Sequence, residues 1–298
     1  MKELLSGYKL SLQAQGVRTI SEYLRGVTEY LDYVTELNLD PCLLPEGFGD
    51  EYRSHLIHRE PPLSRGTINN KLNRVRSFYR HLSKKGMLLS NPFAETKGLS
   101  GGLNIPKNIL TIEQTGQLLD NFGIKRDEDF MYLTLAELLY GSALRISEAA
   151  ALKLDDIDYE SRILNVWDFK NDKPRRAPAS EASIRRLRAY CRTTREAVLT
   201  PKEQAAGFIF PQRGSTTLRT HLNRILKTEC RRLGLPVITS HSFRHCAATH
   251  MLKKGAGIRQ VQAMLGHEKI STTQIYTRVI TEDLKTLVAE FHPREAAV

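Results

Sequence analysis

The sequence predicts a mainly α-helical protein of two domains, with one small antiparallel β-sheet in the second domain. Apolar residues recur every three or four positions through most of the chain, which is the spacing of amphipathic helices. A stretch rich in glycine and proline, residues 98–106, is predicted to link two domains, because 298 residues exceed the usual size of one core. Residues 157–178 instead carry β-branched and aromatic residues around polar turn clusters, which is typical of short strands.

The first domain, residues 1–97, is predicted to be entirely helical. Apolar residues follow a helical spacing from Ile20 to Leu37, and Thr19 and Glu22 stand at the spacing of a capping box. A second helix is predicted from about Thr67 to Lys85, with Gly86 placed to end it. Weaker helical patterns cover residues 4–13 and 48–58.

The second of these helices has a strongly basic polar face. From Arg65 to Lys85 the chain holds seven basic residues and no acidic one, and its net charge is +11. These charges favour a nucleic-acid partner whose phosphates they would contact, although a merely solvated helix face is the alternative. The residues predicted to contact DNA on this face are Lys71, Arg74, Arg76 and Arg80.

The second domain, residues 107–298, is predicted to begin with a helix capped by Thr111 and Gln114. Residues 129–141 are apolar enough to form a core helix, and three short antiparallel strands are expected within residues 157–178. Further helices are predicted after these strands, near residues 181–198, 218–233, 241–254 and 258–265, with a short one near Tyr276.

Arg145 stands in the segment YGSALRISEAAALKL, where small and apolar residues dominate. An arginine in such a setting needs an anionic partner, because its charge cannot be removed. An ion pair with Glu148, three residues further on, is one candidate for that partner. A bound phosphate is the other, and the segment alone leaves both open.

In the segment SHSFRHCAATHML, His241, Arg244 and His245 fall at positions i, i+3 and i+4, so one helical face presents an imidazole beside a guanidinium. Such a face could hold an anion. A zinc site at His241 and His245 would lack the glutamate of an HExxH motif and a third ligand. For His245 and His250, a place in the core is the simpler interpretation.

Tyr276 lies in the segment LGHEKISTTQIYTRV, nine residues after His267. A tyrosine alone would indicate only a packed ring with a hydrogen-bonded hydroxyl. The three segments around Arg145, Arg244 and Tyr276, however, resemble in content, order and spacing the three signature regions of the tyrosine recombinase (phage integrase) family. The resemblance covers residues 106–278, and the helical N-terminal domain is similar in size to the core-binding domain of compact Xer-like members.

This resemblance implies an enzyme, a site-specific recombinase whose two domains form a clamp on double-stranded DNA. It also implies strand exchange through a 3′-phosphotyrosine and a Holliday junction, without a metal, ATP or another cofactor. By the same resemblance, Tyr276 is the nucleophile, Arg145 and Arg244 grip the scissile phosphate, and Glu148 supports the site. The remaining members of the anion pocket would be His241 and His267.

The family also places a catalytic lysine in the hairpin, usually between glycines. Lys170 occupies the matching place here, but Phe169 and Asn171 flank it instead of glycines. Lys173 is the competing candidate, and Lys170 is preferred because it keeps the register to Arg175. We expect Lys173 and Arg175 to contact DNA.

The C-terminal tail, from about residue 281, is predicted to form a short helix with one apolar face. The residues on this face are Leu284, Leu287, Val288 and Phe291. In the family such a helix commonly docks on a neighbouring protomer. This implies a homo-tetramer, or a hetero-tetramer with a paralogue, on two DNA duplexes.

Other classes of protein are less well supported by the sequence. A metal-dependent nuclease would need clustered carboxylates, and Asp155, Asp156 and Asp158 resemble turn residues. A catalytically silent DNA-binding protein should have lost a site residue, and a related nicking topoisomerase fits the compact length less well. With no apolar run of about 20 residues, no signal peptide and no CxxC pair, we expect a cytoplasmic protein without membrane contact or metal site.

Overall fold

The structure is a computed structural model that describes all residues except 1, 18, 89, 101–108, 170–171 and 267–298. Contacts divide the chain into two compact units, Met1–Gly102 and Leu103–Val298. The predicted class, mainly helical with a small antiparallel sheet, is confirmed. No helix in the described ranges is long and apolar enough to cross a membrane.

Unit 1 consists of helices in the part that is described. They are α1 (Lys2–Ala14), α2 (Ile20–Glu36), α3 (Phe48–Ile57) and α4 (Arg65–Lys84). Aromatic rings fill the centre of the unit, where Tyr30 contacts Tyr52, Tyr79 and Phe93 with ring centroids 4.7 to 5.8 Å apart. The hydroxyl groups of Tyr30 and Tyr79 are hydrogen bonded at 2.9 Å, which satisfies both buried polar groups.

The ends of these helices agree only partly with the sequence. Gly86 has a φ of +67° just after α4, as its predicted role in ending the helix requires. The capping box at Thr19 is wrong, because the Thr19 side chain accepts no capping hydrogen bond. Its φ of −104° and ψ of +41° differ from the extended backbone that an N-cap residue usually adopts.

The chain that follows α4 packs on unit 1 further than expected. The Phe93 ring is buried in the core. The backbone N–H of Leu99 donates to Oδ1 of Asn69 at 2.8 Å, and the carbonyl of Leu99 accepts from Nδ2 of Asn69 at 3.1 Å. Residues 98 and 99 were predicted to lie in the linker. They belong instead to the packed surface of unit 1. The other predicted domain limits stay predictions.

Unit 2 surrounds α6 (Asp127–Gly141), whose residues 131–139 are all buried. The predicted capping box of Thr111 and Gln114 is present at the start of α5 (Ile112–Asp120). The helix expected over 181–198 is divided in two at Thr194. The other helices are α7 (Ile146–Ala150), α8 (Glu181–Thr193), α9 (Arg195–Val198), α10 (Pro201–Ala205), α11 (Ser215–Arg232), α12 (Ser240–Lys253) and α13 (Ile258–Leu265).

The predicted sheet is present, with strands β1 (Ile157–Asp158), β2 (Ile163–Asp168) and β3 (Lys173–Pro178) in that order and antiparallel. Leu164, Val166 and Asp168 are buried while the residues between them are exposed, so this face of β2 points inward. Val166 pairs with Arg175 across the hairpin, and the same face therefore carries Arg175.

Candidate active site

Arg145 lies directly before α7, where it and Glu148 hold each other. The backbone N–H of Arg145 donates to Oε2 of Glu148 at 2.8 Å, and Nη1 of Arg145 donates to Oε1 at 2.9 Å. The Glu148 side chain is fully buried, whereas 22% of the Arg145 side chain is exposed. The ion pair that the sequence left open is present, and it orients a guanidinium that still reaches the surface.

Two further charged side chains contact this pair from the hairpin. Oδ2 of the buried Asp168 lies 3.3 Å from Nη1 of Arg145, and Arg175 donates to both carboxylate oxygens of Glu148. Asp168 was not predicted to belong to the site, and Arg175 was predicted to contact DNA. The alternation of β2 and β3 would have indicated both, because Asp168 follows Leu164 and Val166 on the inward face.

Arg244 lies in the first turns of α12, and only 2% of its surface is exposed. Its Nη1 donates to the carbonyl of Ala143 at 2.6 Å, and its Nη2 donates to the carbonyl of Leu265 at the end of α13. These bonds fix the guanidinium at the start of α12, and its positive charge contributes to the lowered pKa of His241.

His241 shares the first turns of α12 with Arg244, and the amino end of a helix also favours anions. The His241 ring is open to solvent, yet the protein packed around it lowers its pKa, with further contributions from the charges of Arg244 and Arg145. Both arginines therefore contribute to the lowered pKa of His241. A lowered pKa leaves the imidazole neutral at pH 7, so it can accept a proton.

The neighbouring histidines have different surroundings. The His245 ring is perpendicular to that of His241, with centroids 4.4 Å apart, and burial together with His241 and Arg244 lowers its pKa to about 4. His250 is a core residue, as expected, because its ring nitrogens bond the Tyr140 hydroxyl and the Leu110 carbonyl. Among the residues that are described, no group of His, Cys, Asp and Glu is arranged to hold a metal ion.

Lys170, His267 and Tyr276 lie outside the described residues, so their predicted roles stay predictions. Helix α13 ends at Leu265, and Gly266, the residue after it, has a positive φ of +64°. In the hairpin, Lys173 pairs with Asp168 at the start of β3 and is exposed. Lys173 is thus a strand residue, and the choice between the two lysines is not tested by this position.

The basic residues predicted on α4 make contacts within unit 1. Lys71 is ion-paired with Glu29 of α2, and Arg74 donates to Oε2 of Glu22 on the same helix at 2.8 Å. The other two differ from each other, since Arg76 donates to the carbonyl of Thr96 whereas Arg80 is exposed. Part of this basic face is therefore used to join two helices, and its contact with DNA stays a prediction.

The carboxylates considered for a metal-dependent nuclease have ordinary local roles. Oδ2 of Asp156 accepts from the backbone of Lys153, and Oδ1 of Asp158 accepts from the backbone of Glu160 and Ser161. They stabilise turns next to β1, as the sequence indicated.

Chemically, unit 2 brings together three guanidinium groups, two buried carboxylates and a neutral imidazole. They belong to Arg145, Arg175 and Arg244, to Glu148 and Asp168, and to His241. The set carries a net positive charge, and it is held by hydrogen bonds before any ligand binds. Fixed donors of this kind stabilise a phosphate and any further negative charge that develops on it during reaction. The arrangement is that of an anion site with a proton acceptor beside it.

Comparisons with known proteins agree with this chemistry. The sequence matches the model of the phage integrase family over residues 108–282. It is 33% identical over 280 residues to the tyrosine recombinase XerC of Myxococcus xanthus, covering 93% of this chain and 92% of that protein. The family expected from the signature segments is therefore confirmed by sequence.

Solved structures show the same fold. The Tn1549 transposon integrase in complex with transposon right end DNA has a TM-score of 0.72 and 20% identity, over 97% of this chain and 99% of that one. The XerH site-specific recombinase bound to difH substrate also has a TM-score of 0.72, with 19% identity over 91% and 79% of the two chains. The chain belongs to the phage integrase family of tyrosine recombinases, as an Xer-like member.

Proposed function

We propose that this chain cuts and rejoins double-stranded DNA at a specific site, with Tyr276 as nucleophile and a 3′-phosphotyrosine as intermediate. The observation that carries the proposal is the shared location of Arg145, Arg244 and His241. Arg244 donates to the carbonyl of Ala143, two residues before Arg145, and His241 lies in the same first turns of α12 as Arg244. Family membership supplies the reaction class. The anion site in unit 2 supports the roles of its residues.

The arginines act on the charge of the phosphate. A phosphodiester is already anionic, and attack by a phenolic oxygen adds negative charge in a pentavalent transition state. Arg145 and Arg244 neutralise the first charge and stabilise the second, because their positions are fixed before the DNA arrives. Glu148 and Asp168 keep Arg145 in place without cancelling the positive charge of the whole set.

Proton transfer completes the cleavage step. The oxygen of Tyr276 forms a bond to phosphorus while the bond from phosphorus to the 5′ oxygen breaks. The phenol has an unperturbed pKa near 10, so a neutral His241 takes its proton and Lys170 protonates the departing oxygen. His267 donates a hydrogen bond to the phosphate.

The energy of the broken bond is kept in the phosphotyrosine, which replaces one phosphodiester with another. A 5′-hydroxyl of a second strand attacks this phosphorus and releases Tyr276, so that joining needs no ATP. Two such exchanges, separated by a Holliday junction, recombine two duplexes. Four protomers, identical or paired with a paralogue, hold the duplexes, and the protein acts in the cytoplasm where its DNA is found.

The biological task is a resolution of DNA dimers or the movement of a mobile element. A transposon integrase shares this fold, which supports the second task, and the resemblance to compact Xer-like recombinases supports the first. A catalytically silent DNA-binding protein is the second candidate function. Such a protein would have the same fold and would form no covalent adduct with DNA.

The test uses a nicked suicide duplex incubated with the protein in EDTA, followed by denaturing electrophoresis. The wild type is expected to form a covalent adduct, Tyr276→Phe is expected to form none, and the control Tyr23→Phe in unit 1 is expected to match the wild type. Absence of a wild-type adduct on a cognate site would overturn the enzymatic proposal. In a parallel incubation with Mg²⁺ instead of EDTA, cleavage that leaves no adduct would indicate a nuclease.

A further inference from the structure

We propose that Arg175 is a positioning residue of the recombination site rather than a DNA ligand. The inference rests on the proposed function. In this role Arg175 fixes the carboxylate of Glu148, and through it Arg145, while it also fixes the end of α13. The chain continues from that end directly into His267.

The first observation is the fork formed by Arg175 and Glu148. Nε of Arg175 donates to Oε1 at 3.3 Å, and Nη2 donates to Oε2 at 2.8 Å. Two parallel hydrogen bonds fix the rotation of the carboxylate as well as its position. A lysine at this place could make only one of them, because its ammonium is a single point charge.

The second observation is that Arg145 and Arg175 share this carboxylate. Each oxygen of Glu148 accepts one hydrogen bond from each arginine, and the carboxylate is fully buried. Loss of Arg175 would leave the buried charge with one cation where it now has two. Glu148 would then shift toward Arg145 or rotate, and either movement displaces the guanidinium that is to bind phosphate.

The third observation links Arg175 to α13. Nη1 of Arg175 donates to the carbonyl of Met264 at 2.9 Å. A methyl group added at Gly266 would come within 3.1 Å of Cδ of Arg175, so glycine allows this close approach. One guanidinium therefore connects β3, α7 and the last turn of α13.

These contacts leave Arg175 little surface for DNA. Only 11% of its side chain is exposed, and Nε, Nη1 and Nη2 all have acceptors within unit 2. Arg176, the next residue, is exposed on the opposite face of β3. Replacing Arg175 or Arg176 removes one positive charge from the same strand in either case. A difference between the two variants therefore reports on the position of Arg175 and not on the charge of the strand.

The experiment compares Arg175→Met, Arg175→Lys and the control Arg176→Met on a suicide duplex. We measure the single-turnover rate of adduct formation, the affinity for DNA and its dependence on salt. Arg175→Met is expected to slow cleavage about 100-fold, the cost of a displacement near 1 Å at a reacting centre. Its DNA affinity and salt dependence are expected to stay close to those of the wild type.

The salt dependence separates the two roles. A side chain that contacts a phosphate contributes about 0.9 to the slope of log K against log salt concentration, so its removal lowers that slope. A drop of this size for Arg175→Met, with an unchanged cleavage rate at saturating DNA, would show a DNA ligand and overturn the proposal. Arg175→Lys is expected to cleave slowly too, because it keeps the charge and loses the fork.

A double substitution guards against a general loss of structure. If Arg175 acts through Glu148, Arg175→Met should slow cleavage much less in a Glu148→Gln background than in the wild type. Equal slowing in both backgrounds would contradict the coupling. If wild type forms the adduct and Arg175→Met forms it equally fast, only the positioning proposal fails, whereas a wild type without adduct removes the proposed function itself.

Discussion

Ala143 has a backbone conformation that residues with a side chain rarely adopt, with a φ of +50°. It is fully buried against Leu252, Val261 and Leu265, and its carbonyl receives the Nη1 donor of Arg244. The left-handed backbone costs an alanine about 1–2 kcal/mol. Burial of the methyl group, worth about 0.8 kcal/mol, and the lower entropy of the unfolded chain offset much of this cost.

This balance predicts that two substitutions of Ala143 change the free energy of unfolding by different amounts. Ala143→Gly should change the free energy of unfolding by less than about 1 kcal/mol, because the released strain and the lost methyl contact nearly cancel. Ala143→Val should destabilise unit 2 by more than about 2 kcal/mol, since a β-branched residue resists this backbone and overfills the site. It should also slow cleavage by moving the carbonyl that holds Arg244.

Urea unfolding followed by the fluorescence of Trp167 measures this difference. Trp167 is the single tryptophan of the chain and lies on β2, so its signal reports on unit 2. Equal stability of the valine and glycine variants would contradict the argument from backbone strain.

Residue by residue, the sequence predicted the charged groups of the site better than their partners. Arg145 stands out because an arginine among small and apolar residues needs an anion, and Arg244 stands out because it shares a helical face with His241 and His245. Asp168 was not named and Arg175 was assigned to DNA because both stand beside the turn cluster NDKP, although strand alternation puts both on the inward face. Contacts between segments distant in the chain, such as Arg175 with Met264, leave no trace in local spacing.

At the scale of elements, α4 shows that a basic helix face has more than one use. Glu22 of α2 forms an ion pair with Arg74, and Glu29 of α2 forms one with Lys71. These ion pairs hold two helices of unit 1 together. No acidic residue stands within the basic stretch Arg65 to Lys85 itself. The acids come from α2, whose register against α4 is set by the packing of both apolar faces and could not be derived from either helix alone.

This difference within α4 predicts which residue contributes to DNA affinity. Arg80 is exposed, whereas only 13% of the Lys71 side chain is, so Arg80→Ala should lower affinity for a nonspecific duplex and reduce the salt slope by about 0.9. Lys71→Ala, the matched control, should leave the slope unchanged and chiefly weaken the contact with α2. Fluorescence anisotropy at several salt concentrations measures both, and equal slopes for the two variants would contradict the assignment.

The element boundaries show the same limit. Thr111 and Gln114 form the capping box that their spacing predicts, whereas Thr19 and Glu22 have equal spacing and do not. The difference lies in the backbone of Thr19, which is not extended. A motif of side chains identifies a helix start only where the preceding chain can approach it in the required conformation.

At the scale of the whole molecule, the division of labour predicted from the sequence places recognition in both units and chemistry in unit 2. The described part of unit 2 holds Arg145, Arg244 and His241. Unit 1 has an aromatic core of its own and can provide a stable surface for DNA. With Tyr276 as the proposed nucleophile, each protomer would cut one strand. Exchange of two duplexes needs four strand cuts, so we propose four protomers.

The C-terminal tail is the segment that we expect to join those protomers. Its apolar positions, Leu284 and Leu287 among them, recur at helical spacing, and such a face is stable only when it is covered. A tail that docks on a neighbour makes cleavage depend on assembly. Shortening the chain after Thr281 should therefore abolish synapsis while a single protomer still binds one half-site.

A milder pair of variants tests the same idea without deletion. Leu284→Asp combined with Leu287→Asp should reduce the tetramer on DNA and the recombinant product, because charged groups cannot enter an apolar contact without a large desolvation cost. Glu282→Ala combined with Thr286→Ala, on the opposite face of the predicted helix, should leave both near the wild-type level. Native gel electrophoresis of the DNA complexes reports the assembly, and an in vitro recombination assay reports the product. Normal tetramers from the shortened chain would show that another surface joins the protomers.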